Sequence, residues 1–455
     1  MKYKELIAKQ TLFFNSNKTK EIVFRIDQLK KLKAVIKSHE SDIYKAIYSD
    51  FKKSEFDTYT TELMILYAEI DETIDKISKW AKREKVRSNL AILPCKSYIL
   101  PEPLGVCLII GAWNYPFQLS LGPVIAAIAA GNTIVLKPSE MASASSAVIE
   151  KMIRENFSTD YITVVEGGTE DTTALLSEKF DKIFFTGSVA VGKIVYAAAA
   201  KHLTPITLEL GGKSPAIVTK NCDLKITAKR LVWAKFLNAG QTCIAPDYIL
   251  VDNTVKSELL GYLKEFIQQF NYSFTNNNYV QIINEKNFHR LTSLIEKEKI
   301  YFGGESNLEE RFIAPTLMTG VSFDDKIMED EIFGPILPII SYDKLDEAIF
   351  KIKALPKALS CYVFSNDKAE KEKLLNEISF GGGAINDALL HISNSHLPFG
   401  GVGNSGIGSY HGKAGFSTFS HFKSIIEKPF WLDNTLRYSP NTNTKLSWIK
   451  RLIGK

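Results

Sequence analysis

Apolar positions recur at three- and four-residue intervals through Leu29, Leu32, Val35 and Ile36, and again through Ile43, Ala46, Ile47 and Phe51. A third stretch runs from Thr60 to Trp80 with Leu63, Leu66, Tyr67, Ile70, Ile74 and Ile77. That spacing puts one apolar stripe on each helix, so residues 1–80 read as packed helices. The pattern changes at 86–102, where two short extended runs flank Pro94 and Cys95. These predict a hairpin that projects from the helical part.

From Gly105 the rhythm becomes strand, loop, helix. The runs Val106–Ile110, Thr133–Leu136, Ile162–Val165 and Lys182–Phe185 are short and continuously apolar. Strands buried on both faces have this character. Helical stretches separate them at Val124–Ala130, Ala142–Asn156 and Val189–Lys201. The alternation predicts βαβ units and a parallel sheet. Ligands of such sheets bind beyond the carboxyl ends of the strands, at Asn114, Lys137, Glu140, Gly167, Thr186, Gly187 and Ser188 in this chain.

A second α/β unit starts after residue 207. Strands are expected at Ala216–Val218, Tyr248–Val251, Ile336–Ile340 and Ser360–Phe364, and helices at Leu224–Asn238 and Glu258–Phe270. The first of these helices is expected to run into the loop Gly240-Gln-Thr-Cys-Ile-Ala-Pro246. The glycine-dense segment from Leu397 to Gly408 predicts a shaped loop, and Thr418–Glu427 an extended one. The expected fold class is therefore α/β, with two doubly wound domains and a small β element that bridges or oligomerises. Its boundaries are set at 1–85 and 103–207 for the first α/β domain, 208–397 for the second, 86–102 and 398–430 for the bridging element, and 431–455 for a tail.

Composition adds exclusions more than assignments. The chain has 455 residues, 45% hydrophobic and 24% charged, with a formal net charge of +5. Basic and acidic residues are interspersed, so no nucleic-acid footprint stands out. Cys95, Cys107, Cys222, Cys243 and Cys361 are odd in number and have no C-x-x-C pair. That argues against a disulfide framework or a zinc site. The histidines, including His391, His396, His411 and His421, lack ligand spacing, so no metal is expected. No apolar run approaches the ~18–20 residues that span a bilayer, and no signal peptide is seen, so a cytoplasmic location is expected. The tail from Lys445 is basic and weakly amphipathic. A frayed tail, or one docked on its own domain, is the expectation, and weak contact with an anionic membrane surface is the alternative.

Three local features suggest chemistry. Phe185-Thr-Gly-Ser opens a helix that carries Gly192 one turn in. A helix N-terminus offers free N–H groups to a phosphate, although a tight strand-to-helix turn explains the same residues. Lys137 and Glu140, on the neighbouring strand end, suit a ribose; they equally suit a solvated loop. Glu209 stands in the apolar run Ile206–Leu210. Burial there would raise its pKa and suit it to general-base work, unless it caps backbone groups. Cys243 by itself could be a small buried hydrophobe.

Seven stretches in order give these features a common reading: Gly111-Ala-Trp-Asn-Tyr-Pro-Phe, Leu136-Lys-Pro-Ser-Glu, Phe185-Thr-Gly-Ser, Leu208-Glu-Leu-Gly-Gly-Lys-Ser-Pro, Gly240-Gln-Thr-Cys, Glu331-Ile-Phe-Gly-Pro and Leu397-Pro-Phe-Gly-Gly. Together they resemble the aldehyde dehydrogenase superfamily over roughly residues 105–420. The short N-terminal region, the Ala-Pro after the cysteine, and Gly403-Asn-Ser-Gly-Ile-Gly-Ser-Tyr-His-Gly resemble its class 3 branch.

The resemblance implies that Cys243 is the nucleophile, that Asn114 with the Cys243 backbone N–H binds the oxyanion, and that Glu209 activates the hydrolytic water. It implies that Lys137 and Glu140 face the adenosine ribose, and that Thr186, Gly187, Ser188 and Gly192 lie near the pyrophosphate or ring. Glu331 and Phe333 would sit at the nicotinamide end. Tyr115 and Trp233 would wall the aldehyde channel. Glu140 favours NAD, with NADP admitted as a second cofactor. Substrates would be medium- or long-chain aliphatic or aromatic aldehydes, and the assembly a homodimer. A CoA-acylating or acyl-reducing enzyme on the same fold, and a catalytically silent scaffold, are the alternatives.

Overall fold

The computed structural model describes residues 2–453. Five helical segments open the chain: α1 (Lys4–Asn15), α2 (Ile22–Ser38), α3 (Glu40–Phe51), a single turn α4 (Glu55–Thr58) and α5 (Met64–Trp80). A π-helical turn, Tyr59–Leu63, joins the last two. The stripe residues Leu29, Leu32, Ile36, Ile43, Ile47, Leu66, Ile70 and Ile77 are all buried, as the spacing requires.

Strands β1 (Glu84–Val86) and β2 (Lys96–Pro103) form the projecting antiparallel pair. The sheet core follows: β3 (Val106–Ile110), α6 (Pro116–Ala130), β4 (Thr133–Lys137), α7 (Ser143–Asn156), β5 (Ile162–Val164), α8 (Thr169–Leu176), β6 (Lys182–Thr186), α9 (Val189–Ala200) and β7 (Ile206–Glu209). Strand β3 shows why the run is continuously apolar. Cys107 and Ile109 face one buried cluster; Val106, Leu108 and Ile110 face the other. Helices on both faces leave no polar side for the strand.

The second unit runs β8 (Pro215–Val218), α10 (Leu224–Phe236), β9 (Tyr248–Asp252), α11 (Lys256–Phe270), α12 (Glu285–Thr292), β10 (Ile300–Phe302), a minor hairpin β11 (Ser306–Asn307) and β12 (Phe312–Ile313), β13 (Thr316–Met318), β14 (Ile336–Tyr342), α13 (Leu345–Ala354), β15 (Ser360–Phe364), α14 (Lys368–Glu377) and β16 (Gly382–Ile385). Last come β17 (Gly406–Ile407), α15 (Gly412–Thr418), β18 (Ser420–Glu427) and α16 (Asn443–Ile453).

The first main sheet has the order β17-β7-β6-β3-β4-β5, parallel except for β17. The second has the order β10-β13-β14-β9-β8-β15-β16, parallel except for β10. Both are the α/β sheets that the strand-helix rhythm predicts. The small third sheet, β1-β2-β18, pairs the early hairpin with the late extended segment in an eight-residue antiparallel register.

Several boundaries differ from the sequence expectation. Helix α6 begins at Pro116 and not at Val124, because Pro116 occupies the first helical turn, where its missing N–H costs nothing. Every residue of α6 is buried, so no periodicity marked its first two turns. Helix α10 ends at Phe236, before the cysteine loop. Strand β18 begins at Ser420, with the turn before it taken up by α15. Between 429 and 451 no residue is buried, and the hydrogen bonds of this segment stay within it. No helix among the described residues is long and apolar enough to cross a membrane.

Candidate active site

The nucleophile candidate sits on a loop with unusual backbone geometry. Asn238, Ala239 and Gly240 have φ of 54°, 52° and 70°, three left-handed residues in succession. Asparagine and glycine tolerate that region; alanine there is strained and must be held by its surroundings. At Gly240 a Cβ would lie 2.3 Å from the Gly334 carbonyl oxygen, so a side chain has no room. Polar bonds then fix the loop. Asn238 Nδ2 donates to the carbonyls of Asn114 and Gln241, each at 3.1 Å. Gln241 Nε2 donates to the Gln281 carbonyl at 3.0 Å, and its Oε1 accepts from the Ile283 N–H at 3.0 Å. Tyr362 Oη donates to the Ile244 carbonyl at 2.6 Å. Cys243 lies half-buried in the middle of this frame.

Asn114 and Tyr115 reach the same loop from the end of β3. Asn114 is buried, and its Nδ2 donates to the Gln241 carbonyl at 3.1 Å. An amide nitrogen carries two hydrogens, so the second remains for another acceptor. Tyr115 Oη is 2.7 Å from Thr242 Oγ1, one residue before the cysteine.

Glu209 ends β7 in register with Thr186 on one side and Gly406 on the other. It is 3% exposed, and neither carboxylate oxygen has a hydrogen-bond partner among the described residues. Burial alone pushes its pKa well above the usual carboxylate range. Burial also pushes the Cys243 thiol up, and the charges of Glu331 and Glu209 push it further. The cysteine thus lies in the electrostatic field of both carboxylates.

Glu331 is the second unusual acid. Burial, then the charge of Asp247, raises its pKa to about 8, against the pull of the Gly212 N–H, Lys213 and Lys235. A Cβ on Gly211 would fall 1.9 Å from Glu331 Oε2, so this glycine makes the carboxylate's position possible. Its neighbour Phe333 has φ +49°, and its ring meets Trp113 edge-on at 5.5 Å. That contact joins the loop after β3 to the loop before β14. Lys213 holds the same stretch. Its Nζ is 2.5 Å from Asp247 Oδ2 and donates to the Ile327 and Asp330 carbonyls, while Asp247 Oδ1 accepts from the Ile332 N–H.

The carboxyl ends of β4 and β6 hold the remaining polar candidates. Lys137 is buried, with Nζ bonded to the Pro138 carbonyl at 2.8 Å and to Glu140 Oε2 at 3.3 Å. The Glu140 side chain is half-exposed. Thr186 is buried with its Oγ1 unpartnered. Ser188 caps α9, its Oγ accepting from the Val191 N–H. Gly187 leaves space for the Phe185 ring, which a Cβ would meet at 2.6 Å. The Gly192 N–H is already bonded to the Ser188 carbonyl, and its lack of a side chain admits Leu210. A helix N-terminus, an orphaned threonine hydroxyl and a buried lysine beside a half-exposed glutamate fit the phosphate and ribose of a dinucleotide.

Trp233 projects from α10 with 36% of its surface exposed. Lys213, Asp247, Asn238, Gln241 and Tyr362 were not singled out by sequence reasoning. Lys213 lies inside a recognised motif, and Asp247 and Gln241 flank the cysteine closely enough to have been found by position. Among the described residues no cluster of three or more His, Cys, Asp or Glu could hold a metal.

Comparisons with known proteins agree with the fold. The model of the aldehyde dehydrogenase family matches residues 4–425. A 4,4'-diaponeurosporen-aldehyde dehydrogenase of Staphylococcus aureus is 49% identical over 96% of each chain. A dog protein described as aldehyde dehydrogenase, dimeric NADP-preferring, is 44% identical over 97% of this chain and 98% of its own. The substrate-bound structure of Staphylococcus aureus AldH superposes with a TM-score of 0.96 at 48% identity, covering 98% of both chains.

Proposed function

The chain belongs to the aldehyde dehydrogenase family of NAD(P)-dependent oxidoreductases, and from that premise we propose that Cys243, Asn114 and Glu209 carry its reaction. The Cys243 sulfur adds to the aldehyde carbon and gives a thiohemiacetal, its proton passing to solvent. The free hydrogen of Asn114 Nδ2 and the Cys243 backbone N–H hold the resulting oxyanion. When bound, the nicotinamide cofactor supplies the hydride acceptor, and the thiohemiacetal carbon becomes a thioester. Glu209 takes a proton from water, which attacks the thioester and releases the carboxylic acid and the thiol.

The observation that carries this reading is the Glu209 carboxyl, buried without a hydrogen-bond partner among the described residues and felt by the Cys243 thiol. An unpaired buried carboxyl is costly, and a base waiting for water accounts for it. Transfer of the acyl group to CoA needs no such base. The test is product analysis with and without CoA. Carboxylic acid formed at the rate of NADH production, independent of CoA, is the expected result; an acyl-CoA product would overturn it.

Lys137 and Glu140 would hold the adenosine ribose, Thr186, Gly187 and Ser188 the pyrophosphate, and Glu331 with Phe333 the nicotinamide end. Gly192 would support this cleft by packing. Glu140, half-exposed beside Lys137, would repel a 2′-phosphate and favour NAD over NADP. Tyr115 and Trp233 would wall the entry of an apolar aldehyde, of medium or long chain or aromatic. The Staphylococcus aureus relative is named for 4,4'-diaponeurosporen-aldehyde, so its name supports an aldehyde as substrate.

The third sheet ends in β18, an edge strand with exposed residues, and a related protein is described as dimeric. A homodimer formed along such an edge fits both. The enzyme would be cytoplasmic, since its five cysteines form no C-x-x-C pair, and weak membrane contact through the tail would rest on charge. From residue 431 onward there are five basic residues and one acidic residue, a net +4 against the formal +5 of the whole chain. Cosedimentation with phosphatidylglycerol vesicles that disappears at high salt is expected; binding unaffected by salt would refute the electrostatic contact.

A further inference from the structure

An ion pair with no contact to solvent lies beneath the catalytic loop. Lys53 Nζ is 3.3 Å from Glu62 Oε1, with the two side chains 1% and 0% exposed. Isolating both charges from water is expensive, and packed apolar residues would usually serve stability as well. The pair's contacts point elsewhere.

Glu62 Oε2 accepts from the N–H groups of Phe117 at 2.8 Å and Gln118 at 3.2 Å. These are free donors in the first turn of α6, whose N-cap residue Tyr115 offers no side-chain cap of its own. The glutamate therefore does from outside the helix what a capping side chain does from within it. It reaches this place from the π-helical turn Tyr59–Leu63, a local departure from regular helix that is frequent where a side chain must be aimed.

Lys53 Nζ also lies 4.1 Å from the centroid of the Tyr115 ring, within cation–π range. Tyr115 Oη in turn meets Thr242 Oγ1 at 2.7 Å. Asn114 precedes Tyr115, and Cys243 follows Thr242. The chain Glu62, Lys53, Tyr115, Thr242 thus runs from the helix end that presents the oxyanion donor to the residue beside the nucleophile. Asp57 is the other carboxylate whose charge reaches Lys53.

We propose that Lys53 and Glu62 are positioning residues, which fix the distance between the Asn114 amide and the Cys243 sulfur through the Tyr115–Thr242 contact. The inference rests on the cysteine mechanism proposed above. The contacts of the pair are to Phe117, Gln118 and Tyr115, and neither residue is a reacting group in that mechanism. The pair acts by holding α6 and the cysteine loop in one register, where a displacement of an ångström costs roughly a hundredfold in rate.

The test is a double-mutant cycle read by the pre-steady-state burst of NADH. Lys53→Met should slow the burst by roughly ten- to a hundredfold with the KM for NAD unchanged, and Lys53→Arg should restore most of it. In a Tyr115→Leu background, Lys53→Met should have no further effect on the burst, because its route to the cysteine is already cut. Additive effects, or a wild-type burst in folded Lys53→Met, would overturn the proposal. If Lys53→Met does not fold, the paired variant Lys53→Met/Glu62→Met removes the lone buried charge. It should fold and still show the slow burst; a full-rate burst would overturn the proposal equally. Failure of the cysteine mechanism itself reads differently, as the absence of any Cys243-dependent burst in the unmodified enzyme.

Discussion

The Asn114 side-chain amide bonds the Gln241 carbonyl at 3.1 Å, across a sequence separation of 127 residues. One hydrogen of that amide is spent on holding the loop that carries Cys243, and the other is left over. The same group therefore holds the loop of the proposed nucleophile and keeps one donor hydrogen uncommitted.

Asn114→Ala should lower kcat by ~10²–10³, the usual effect of losing one oxyanion donor. Asn114→Asp should be no better, since a carboxylate has no hydrogen to offer and repels the oxyanion. Steady-state kinetics on both variants checks this; a change confined to KM would remove Asn114 from the chemistry.

The Cys243 thiol should be sluggish at neutral pH. Its pKa is raised, so the thiolate fraction grows only as pH climbs past the range of an ordinary cysteine. Alkylation by iodoacetamide should therefore be slower than for a free thiol at pH 7 and still rising at alkaline pH. Glu331 contributes its charge only above about pH 8, where it ionises. Glu331→Gln should thus speed alkylation mainly above that value. The rate followed by mass spectrometry over pH decides the matter, and an unchanged profile would contradict the electrostatic assignment.

The core strands were largely legible, because buried parallel strands write continuous apolar runs, as β3, β4 and β6 do; their order in each sheet was not read from the sequence. Cys243, Glu209 and Asn114 were legible as motif residues. The Lys53–Glu62 pair was not. Lys53 and Glu62 look like surface charges in a lysine- and glutamate-rich helical region, and only packing against α6 buries them. The start of α6 was hidden for a related reason: a helix apolar on every side has no period to read. The left-handed turn at Asn238–Gly240 depends on bonds to Asn114 and Gln281, which are remote in sequence.

Stability should depend on pH through Glu69. Burial, then the charge of Glu72, raises its pKa from 4.5 to about 8, against a bond from the Gly412 N–H. A carboxyl whose folded pKa lies above its unfolded one favours the folded state at low pH. That contribution falls away as pH rises from 4.5 toward 8, by up to a few kcal/mol. Glu69→Gln keeps the neutral shape and removes the titration. Its melting temperature should match wild type near pH 5 and exceed it near pH 9. Parallel curves at both pH values would show that Glu69 does not titrate in this way.

The central claim is that a thioester on Cys243 is hydrolysed with Glu209 as base. The direct measurement is intact-protein mass spectrometry of Glu209→Gln, quenched during turnover with NAD and an aliphatic aldehyde. The account predicts an acyl adduct on Cys243 in near-stoichiometric amount, with the burst of NADH retained and steady turnover greatly slowed. Normal turnover with no adduct would contradict it.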